Sequence, residues 1–174
     1  QKNREEWMQY KMEHDELTGT LNRTAFSRIT KLLEESLTPF ALVLLDIDKF
    51  KGINDTYGHD VGDKVLSYLS SVLNEKMRTV DKIFRIGGDE FAVIMNRLTV
   101  TQADCIKSIL EQVNQTTTLG MNGLPAFSIS AGATFSVLGY DETVYQNADK
   151  ALYRTKETTR RGCTIFEEIN QVSN

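Results

Sequence analysis

The sequence has little cysteine and proline and no long apolar run. Its 174 residues include two cysteines, two prolines and no uninterrupted apolar stretch of the length that a membrane-spanning helix needs. Cys105 and Cys163 lie far apart and lack the spacing of a metal site, so two reduced thiols are the favoured interpretation. No signal-peptide pattern is present at the start. We therefore expect a cytoplasmic domain, and a parent protein anchored in a membrane stays compatible with this sequence.

An excess of positive charge is also missing. The formal net charge is −4, which argues against a broad surface for nucleic acid or membrane. Hydrophobic residues make up 40% of the chain and charged residues 25%, as in a soluble globular protein. The length suits one domain with a substantial core.

Two glycines followed by two carboxylates interrupt an apolar pattern at residues 85–91 (RIGGDEF), and apolar residues resume at 92–95. Glycine tolerates positive φ and lets another molecule approach the backbone. The pattern thus predicts a tight β-hairpin with Asp89 and Glu90 at an exposed tip. Adjacent carboxylates repel each other unless a cation lies near both, and Mg²⁺ prefers carboxylate oxygens. A solvated turn that happens to carry acids is the alternative.

A third carboxylate, Asp46, closes a run of six apolar residues at 40–45. This run predicts a central strand that is buried on both faces and has Asp46 at its carboxyl end. If the hairpin lies antiparallel beside this strand, Asp46 and Asp89 come within reach of one ion. Residues 49–55 are predicted to form a turn whose backbone N–H groups can hold phosphate oxygens. Acids, amides and a lysine together indicate phosphoryl or nucleotidyl transfer.

Periodicity and capping residues predict the remaining elements. Helices are expected over residues 1–14, 23–33, 61–77, 103–113 and 142–156, and strands over 83–86, 127–135 and 165–166. The polar stretch 115–123 is expected to be a loop, and the strand at 127–135 to present one apolar face to a helix. Core positions of the second helix are expected to be Ala25, Phe26, Ile29, Leu32 and Leu33. Lys156 and Arg160 are four residues apart and are expected to share a helix face.

Several of these segments resemble the diguanylate cyclase (GGDEF) family. Besides residues 85–91, the matching motifs are at 15–19, 46–51, 53–60 and 62–63, and the resemblance spans roughly residues 14–168. It implies an α/β (α+β) sandwich with a mostly antiparallel central sheet flanked by helices, similar to the palm of nucleotide polymerases and to class III nucleotidyl cyclases. It also implies an enzyme that joins two GTP molecules into cyclic di-GMP and releases two pyrophosphates.

The resemblance implies roles for the carboxylates. Asp46, the Ile47 carbonyl and Asp89 would hold Mg²⁺, with Mn²⁺ as the alternative ion. Glu90 would join a second metal, or help Asp89 to deprotonate the attacking 3′-hydroxyl. These two roles of Glu90 stay open at the level of sequence.

The substrate residues follow from the same resemblance. Phe50 and Lys51 would mark the phosphate-binding turn. Asn54 and Asp63 would contact guanine, because a carboxylate can accept both N1–H and the exocyclic amine of guanine. His59 also occupies a position of the family motif. Its side chain could pack beneath the loop or contact the nucleotide, and the sequence does not decide between these two roles.

Two pairs of charged residues also match family positions. Lys156 and Arg160 would offset charge on the β and γ phosphates, with a basic C-terminal helical turn as the alternative. Arg78 and Asp81 match the inhibitory product site, since arginine can bind guanine O6 and N7; an ordinary turn salt bridge is the alternative. The family's secondary arginine is not clearly present, and Lys107 is the nearest basic residue.

The resemblance also implies a domain organisation and partners. Residues 1–14 are expected to be the end of an upstream signalling helix, and residues 15–174 the GGDEF domain. Since the chain begins with Gln1, we expect an upstream sensory domain in the same parent chain. One site holds one GTP whereas the product needs two phosphodiester bonds, so we expect a two-fold homodimer. Alternatives are a catalytically silent cyclic di-GMP receptor and a module for signalling dimerisation.

Overall fold

The computed structural model of the protein describes residues 3–121 and 123–172. Its helices are α1 (Arg4–Glu13), α2 (Arg23–Leu32), α3 (Phe50–Tyr57), α4 (His59–Lys76), α5 (Ala103–Thr118) and α6 (Glu142–Glu157). Its strands are β1 (Phe40–Ile47), β2 (Lys82–Arg85), β3 (Glu90–Asn96), β4 (Ile129–Ser136) and β5 (Gly162–Ile165). Short 3₁₀ turns lie at Leu33–Glu35, Val100–Gln102 and Phe166–Val172.

The strands of this part of the chain form one sheet in the order β2-β3-β1-β4-β5. Strand β1 pairs antiparallel with β3 and β4, β2 pairs antiparallel with β3, and β5 runs parallel to β4. The predicted, mostly antiparallel sheet is therefore confirmed. The register places Asp46 opposite Glu90 on one side and opposite Ser130 on the other.

Helices cover both faces of the sheet, which makes the fold the predicted α/β sandwich. On one face, side chains of α4 and α5 such as Leu69 and Leu110 form a hydrophobic cluster with the sheet. On the other face, side chains of α2 and α6 such as Phe26 and Leu152 form a second cluster. Strand β1 lies between the two and is buried along its whole length, so its carboxyl end is held on every side.

Strand β4 differs from its prediction, because both of its faces are buried. Ser130 and Thr134, on the supposedly polar face, are 0% and 1% exposed. Gly132 allows this, since a Cβ atom there would lie 2.0 Å from the backbone nitrogen of Leu152 in α6. The backbone of α6 therefore packs directly on β4, and the small residues of β4 make room for it.

Several other elements also differ in extent from their predictions. Residues 49–55 are not a turn, because α3 begins at Phe50. Helix α5 extends through Thr118, so the loop predicted from residue 115 begins later. Strand β5 ends at Ile165, before Phe166. The core position predicted for Leu32 is wrong, since this side chain is 70% exposed.

The predicted helix caps are confirmed. The side chain of Asn22 accepts a hydrogen bond from the Ala25 amide at the start of α2, and Asp141 accepts from the amides of Thr143 and Val144 at the start of α6. Thr99 and Gln102 form the capping box before α5. Local sequence signals therefore fix where these helices begin.

Helix α1 carries exposed aromatic and apolar side chains, and its last turn is attached to the domain. Trp7 stacks on Tyr10, and both are exposed. At the other end, Arg28 donates to Glu13 at 2.5 Å, and Asn22 donates to the Met12 carbonyl at 2.8 Å. Residues 1 and 2 of the predicted N-terminal helix lie outside the described residues. In the described part of the chain, no helix is both long and apolar enough to cross a membrane.

Candidate active site

Asp46 occupies a buried position at the carboxyl end of β1. Its Oδ2 atom forms an ion pair with Lys156 Nζ, whereas its Oδ1 atom is buried and has no hydrogen-bond partner among the described residues. Burial raises the pKa of Asp46 above its ordinary value of 3.8; Lys156 opposes this rise, and the carboxylates of Asp89 and Asp48 add to it. An unpartnered buried carboxylate oxygen among other acids suits a cation, which would satisfy the oxygen and offset the repulsion.

The Gly-Gly turn joins β2 to β3 and lies beside Asp46. Glu90 begins β3 and is exposed, while Asp89 is half-buried, so the acids are not equally accessible. Neither Gly87 nor Gly88 adopts positive φ, so the glycines are not required here for a left-handed backbone. A Cβ at Gly87 would lie 2.9 Å from Glu90 Oε2, and the surroundings of Gly88 are open. The glycines therefore make room for Glu90 and leave the turn backbone accessible.

Side chains from distant segments brace this turn. Arg85 donates through Nε and Nη2 to the Gly88 carbonyl at 3.0 and 2.9 Å, and its Nη1 forms an ion pair with Asp15 at 3.1 Å. Arg23 donates to the Ile86 carbonyl at 3.4 Å. The Arg85–Asp15 contact escaped sequence reasoning, because 70 residues separate the two partners and no periodicity connects them. It links the segment after α1 to the turn that carries the candidate catalytic acids.

The predicted guanine contacts lie where α3 meets α4. Asn54 in α3 packs against Gly62 in α4, and a Cβ at Gly62 would lie 1.9 Å from Asn54 Oδ1. Asp63 follows Gly62 and is exposed, so an amide and a carboxylate are near each other. Phe50 packs partly into the core. His59 is exposed at the start of α4, which excludes the interpretation that it packs beneath the loop.

The start of α3 presents backbone N–H groups in place of the predicted turn. Lys49 precedes α3 with a φ of 56°, a left-handed conformation that is uncommon for lysine. Such strained residues cluster at functional sites. Asp48, the residue before Lys49, is held by hydrogen bonds to the neighbouring segment. Its carboxylate accepts from Ser128 Oγ and Ser130 Oγ at 2.6 Å each, and its amide donates to the Ser128 carbonyl. The contacts of Asp48 with these serines were not expected from sequence, where both serines appear only as polar positions of the strand predicted over 127–135. Lys51, in the first turn of α3, is exposed.

The two basic residues do not share a helix face as predicted. Helix α6 ends at Glu157, and Arg160 lies beyond it with a φ of 46°. The two side chains nevertheless reach the same end of the sheet by different routes. Lys156 pairs with Asp46, and Arg160 lines a cavity of about 480 Å³ together with Asp48 and Lys49. Cations from α6 and from the turn after it thus flank the carboxyl end of β1.

Arg78 and Asp81 form an ion pair across the turn, which both interpretations of this motif allow. Arg78 Nη2 lies 2.7 Å from Asp81 Oδ1 and also donates to the Asn96 carbonyl at 2.7 Å. Because Asn96 pairs with Phe40 at the first residue of β1, this pair lies at the opposite end of the sheet from Asp46. Lys107, the basic residue nearest the position of the family's secondary arginine, is paired with Glu168 at 2.5 Å. Any product bound at Arg78 and Asp81 would therefore lie away from the candidate catalytic acids.

The donor set fits magnesium bound together with a nucleotide rather than by protein alone. In residues 3–121 and 123–172, no group of three or more His, Cys, Asp or Glu side chains is arranged to hold a metal. Mg²⁺ is usually held by one or two carboxylates plus substrate phosphates, and here Asp46, with its unpartnered Oδ1, lies near Asp89. The residues present thus fit Mg²⁺ if phosphate oxygens complete its coordination.

Comparison with known proteins agrees with the sequence motifs. Residues 12–162 match the family model described as "Diguanylate cyclase, GGDEF domain". Diguanylate cyclase DgcM of Escherichia coli K12 is 35% identical over 166 residues, which are 92% of this chain and 40% of DgcM. Diguanylate cyclase DosC of the same strain is 37% identical over 173 residues, which are 94% of this chain and 37% of DosC. The chain spans about two fifths of the length of these curated relatives.

The fold is also found in solved structures. The coiled coil and GGDEF domain of DgcB from Caulobacter crescentus, solved in complex with c-di-GMP, matches with a TM-score of 0.80 and 31% identity. The match covers 92% of this chain and 88% of that one. The predicted fold class is confirmed, and the chain belongs to the GGDEF (diguanylate cyclase) family.

Proposed function

We propose that this domain is a diguanylate cyclase that condenses two GTP molecules into cyclic di-GMP. The observation that carries the proposal is Asp46, whose buried Oδ1 has no partner and whose neighbours are the acids of the Gly-Gly turn and Lys156. Such a carboxylate is costly to a folded protein unless a ligand uses it. The family and the names of the relatives agree with this activity.

Binding of GTP would use both ends of α3. Asn54 and Asp63 are proposed to hydrogen-bond guanine where α3 meets α4, with His59 beside them, and Phe50 to mark the phosphate-binding start of α3. The phosphates would lie at the start of α3, where backbone N–H groups and the helix dipole favour anions, close to Lys51. Lys156 and Arg160 would contact the β and γ phosphates and offset their charge.

The reaction needs a base as well as a bound triphosphate. The 3′-oxygen of one GTP forms a bond to the α-phosphorus of the other, the bond from that phosphorus to the α–β bridging oxygen breaks, and pyrophosphate leaves. We propose that Glu90, exposed beside the turn, takes the 3′-hydroxyl proton or joins Asp89 at a second ion. Asp46, the Ile47 carbonyl and Asp89 would hold Mg²⁺ or Mn²⁺, which supplies charge neutralisation of the phosphates and of the leaving pyrophosphate.

Two copies of the chain are needed, because two such displacements close the cyclic product and each copy holds one GTP. We propose a two-fold homodimer in which each candidate site faces the other. Pairing would be controlled by α1 and by whatever precedes it in the parent protein, through the effective concentration of the two domains.

Turnover of GTP tests the proposal directly. We expect the purified chain with GTP and Mg²⁺ to yield cyclic di-GMP and pyrophosphate, identified by mass spectrometry. Asp89→Ala should abolish the product and leave the melting temperature of the ligand-free protein nearly unchanged. Asp63→Ser should admit ATP, since serine no longer requires the donor edge of guanine. Full turnover by Asp89→Ala, or no product from the unsubstituted chain even when it is dimeric, would reject the proposed enzyme.

Arg78 and Asp81 are proposed to bind the product and so to inhibit the enzyme. The Arg78 guanidinium is already held by Asp81 and by the Asn96 carbonyl, so product must share or replace these contacts. We expect Arg78→Ala to raise the amount of product at steady state. Unchanged inhibition by added cyclic di-GMP in this variant would show that product is bound elsewhere.

A further inference from the structure

Asn54 carries a polar atom that the folded chain leaves unused. Its side-chain Oδ1 is buried and has no hydrogen-bond partner among the described residues. Buried polar groups are nearly always paired, and an exception calls for an explanation. For Asn54 the explanation is a ligand, since the same residue is proposed to contact guanine. The orientation of this amide should then be fixed by its surroundings before the nucleotide arrives.

The surroundings that fix it include a glycine in the middle of a helical turn. Gly62, the fourth residue of α4, is buried, and alanine would be favoured over glycine there by its helix propensity. A Cβ at Gly62 would lie 1.9 Å from Asn54 Oδ1 and 3.0 Å from Asn54 Cγ. The volume that any other residue would fill at this position is therefore occupied by the Asn54 amide.

We propose that Gly62 is a positioning residue that determines guanine specificity by holding the Asn54 amide in its binding orientation. The role rests on the proposed function, because it assigns to Gly62 the support of a proposed guanine contact. Gly62 also directly precedes Asp63 in α4. One helical turn thus both orients the amide of α3 and supplies the carboxylate that would contact the same base.

The nature of the close contact separates this role from a purely structural one. At Gly62, the nearest atoms to an added Cβ belong to the end of a flexible side chain, so Asn54 can rotate away and the fold can survive. At Gly132, the nearest atom is the backbone nitrogen of Leu152 at 2.0 Å, and no side-chain rotation relieves that contact. Substitution of Gly62 should therefore disturb binding more than folding.

A double-mutant cycle between positions 54 and 62 tests the inference. The probe is the α,β-methylene analogue of GTP with Mg²⁺, because its α–β bridge cannot be cleaved during a titration. Gly62→Ala and Asn54→Ala should each weaken binding about tenfold, as the loss of one well-placed hydrogen bond does. The double variant should bind no more weakly than Asn54→Ala alone. Glu75→Ala, an exposed change near the end of the same helix, should bind like the unsubstituted chain.

Two binding results would overturn the inference. One is unchanged affinity of Gly62→Ala, and the other is a loss that adds fully to that of Asn54→Ala, since Gly62 would then act independently of the amide. Failure of the unsubstituted chain to bind the analogue would instead reject the proposed GTP site, which is a separate result.

Melting temperatures of the ligand-free variants provide a test that needs no nucleotide. In the Asn54→Ala background, Gly62→Ala should raise the melting temperature, because alanine favours the helix and the remaining neighbour of its Cβ, Phe50 Cζ at 3.4 Å, lies at van der Waals distance. In the chain that keeps Asn54, Gly62→Ala should give a smaller rise in melting temperature or a fall. An equal effect in both backgrounds would show that Gly62 and Asn54 are not coupled and would overturn the inference.

Discussion

At the scale of single residues, Asp46 shows how a proposed catalytic position lowers stability. The pKa of this carboxyl is raised mainly by burial, in spite of the ion pair with Lys156. A raised carboxyl pKa means that protonation favours the folded state. This stabilisation is complete below the ordinary value of 3.8 and is lost as the pH rises through the folded-state pKa. At neutral pH the ionised Asp46 therefore reduces stability, which is common for residues kept for function.

Asp46→Asn should consequently stabilise the metal-free protein near pH 7. Solvent screens part of the charge, so we expect a gain of about 1 kcal/mol or less, which for a chain of this length is ~2–4 °C in melting temperature. The gain should shrink as the pH falls through the raised folded-state pKa of Asp46, because the carboxyl then binds a proton and loses its charge. Melting curves recorded between pH 4 and pH 8 in a chelator check this expectation.

Addition of GTP analogue and Mg²⁺ provides the control for Asp46→Asn. Ligand that binds only the folded state should raise the melting temperature of the unsubstituted chain and not that of the variant. A variant that melts lower than the unsubstituted chain at pH 7 without ligand would contradict the assigned burial effect.

At the scale of elements, sequence signals predicted helices with caps well and a short helix poorly. Asn22, Thr99 and Asp141 mark helix starts by their side-chain hydrogen bonds, which depend only on nearby residues. Helix α3 has only eight residues, one of which is Gly52, and the residue before the helix is left-handed. Its sequence is typical of a turn. A helix this short is stabilised mainly by packing, here against α4, and that contact is not visible in a local pattern.

The Arg28–Glu13 pair should determine how firmly α1 is attached to the domain. The hydrogen bond from Arg28 is the main reason that the pKa of Glu13 is lowered below 4.5, so this attachment is present at neutral pH and is lost as the pH falls. We expect Arg28→Met to loosen the last turn of α1 and to lower the fluorescence anisotropy of Trp7, the single tryptophan of the chain.

Lys31→Met is the matched control for this prediction, since Lys31 is an exposed cation on the same helix. It should leave the anisotropy of Trp7 unchanged. Equal anisotropy in Arg28→Met and the unsubstituted chain would mean that the hydrogen bonds of Asn22 to the Met12 and Glu13 carbonyls hold α1 without the ion pair.

At the scale of the whole molecule, the sequence was sufficient for the fold class and for the neighbourhood of Asp46 and the Gly-Gly turn. The fold class follows from the order of the helices and strands and from the resemblance to the GGDEF family, whereas the neighbourhood follows from an apolar strand and a hairpin that pair side by side. Contacts between distant segments were not predictable in the same way. The Asp48–Ser128 and Arg85–Asp15 contacts, and the route by which Arg160 reaches the site, depend on how the helices and loops pack around the sheet.

The need for two copies leads to a prediction about concentration. If each copy presents one GTP to the other, specific activity should rise with protein concentration and level off once the dimer is saturated. Initial rates measured over a wide range of protein concentration check this. Fusion of a parallel two-stranded coiled coil before α1 should raise the rate at low concentration, by raising the effective concentration of the partner domain. A specific activity independent of concentration in a monomeric sample would contradict the two-copy mechanism.

The central claim is that the carboxylates of β1 and of the Gly-Gly turn hold a metal on a guanosine triphosphate. A crystal structure with the α,β-methylene analogue of GTP and Mg²⁺ tests it most directly. We expect an ion at ~2.0–2.1 Å from Asp46 Oδ1, with Asp89 also coordinated, phosphate oxygens completing the shell and Lys156 shifted towards the phosphates. A nucleotide bound with no ion at Asp46, or with Lys156 still paired to that carboxylate, would contradict it.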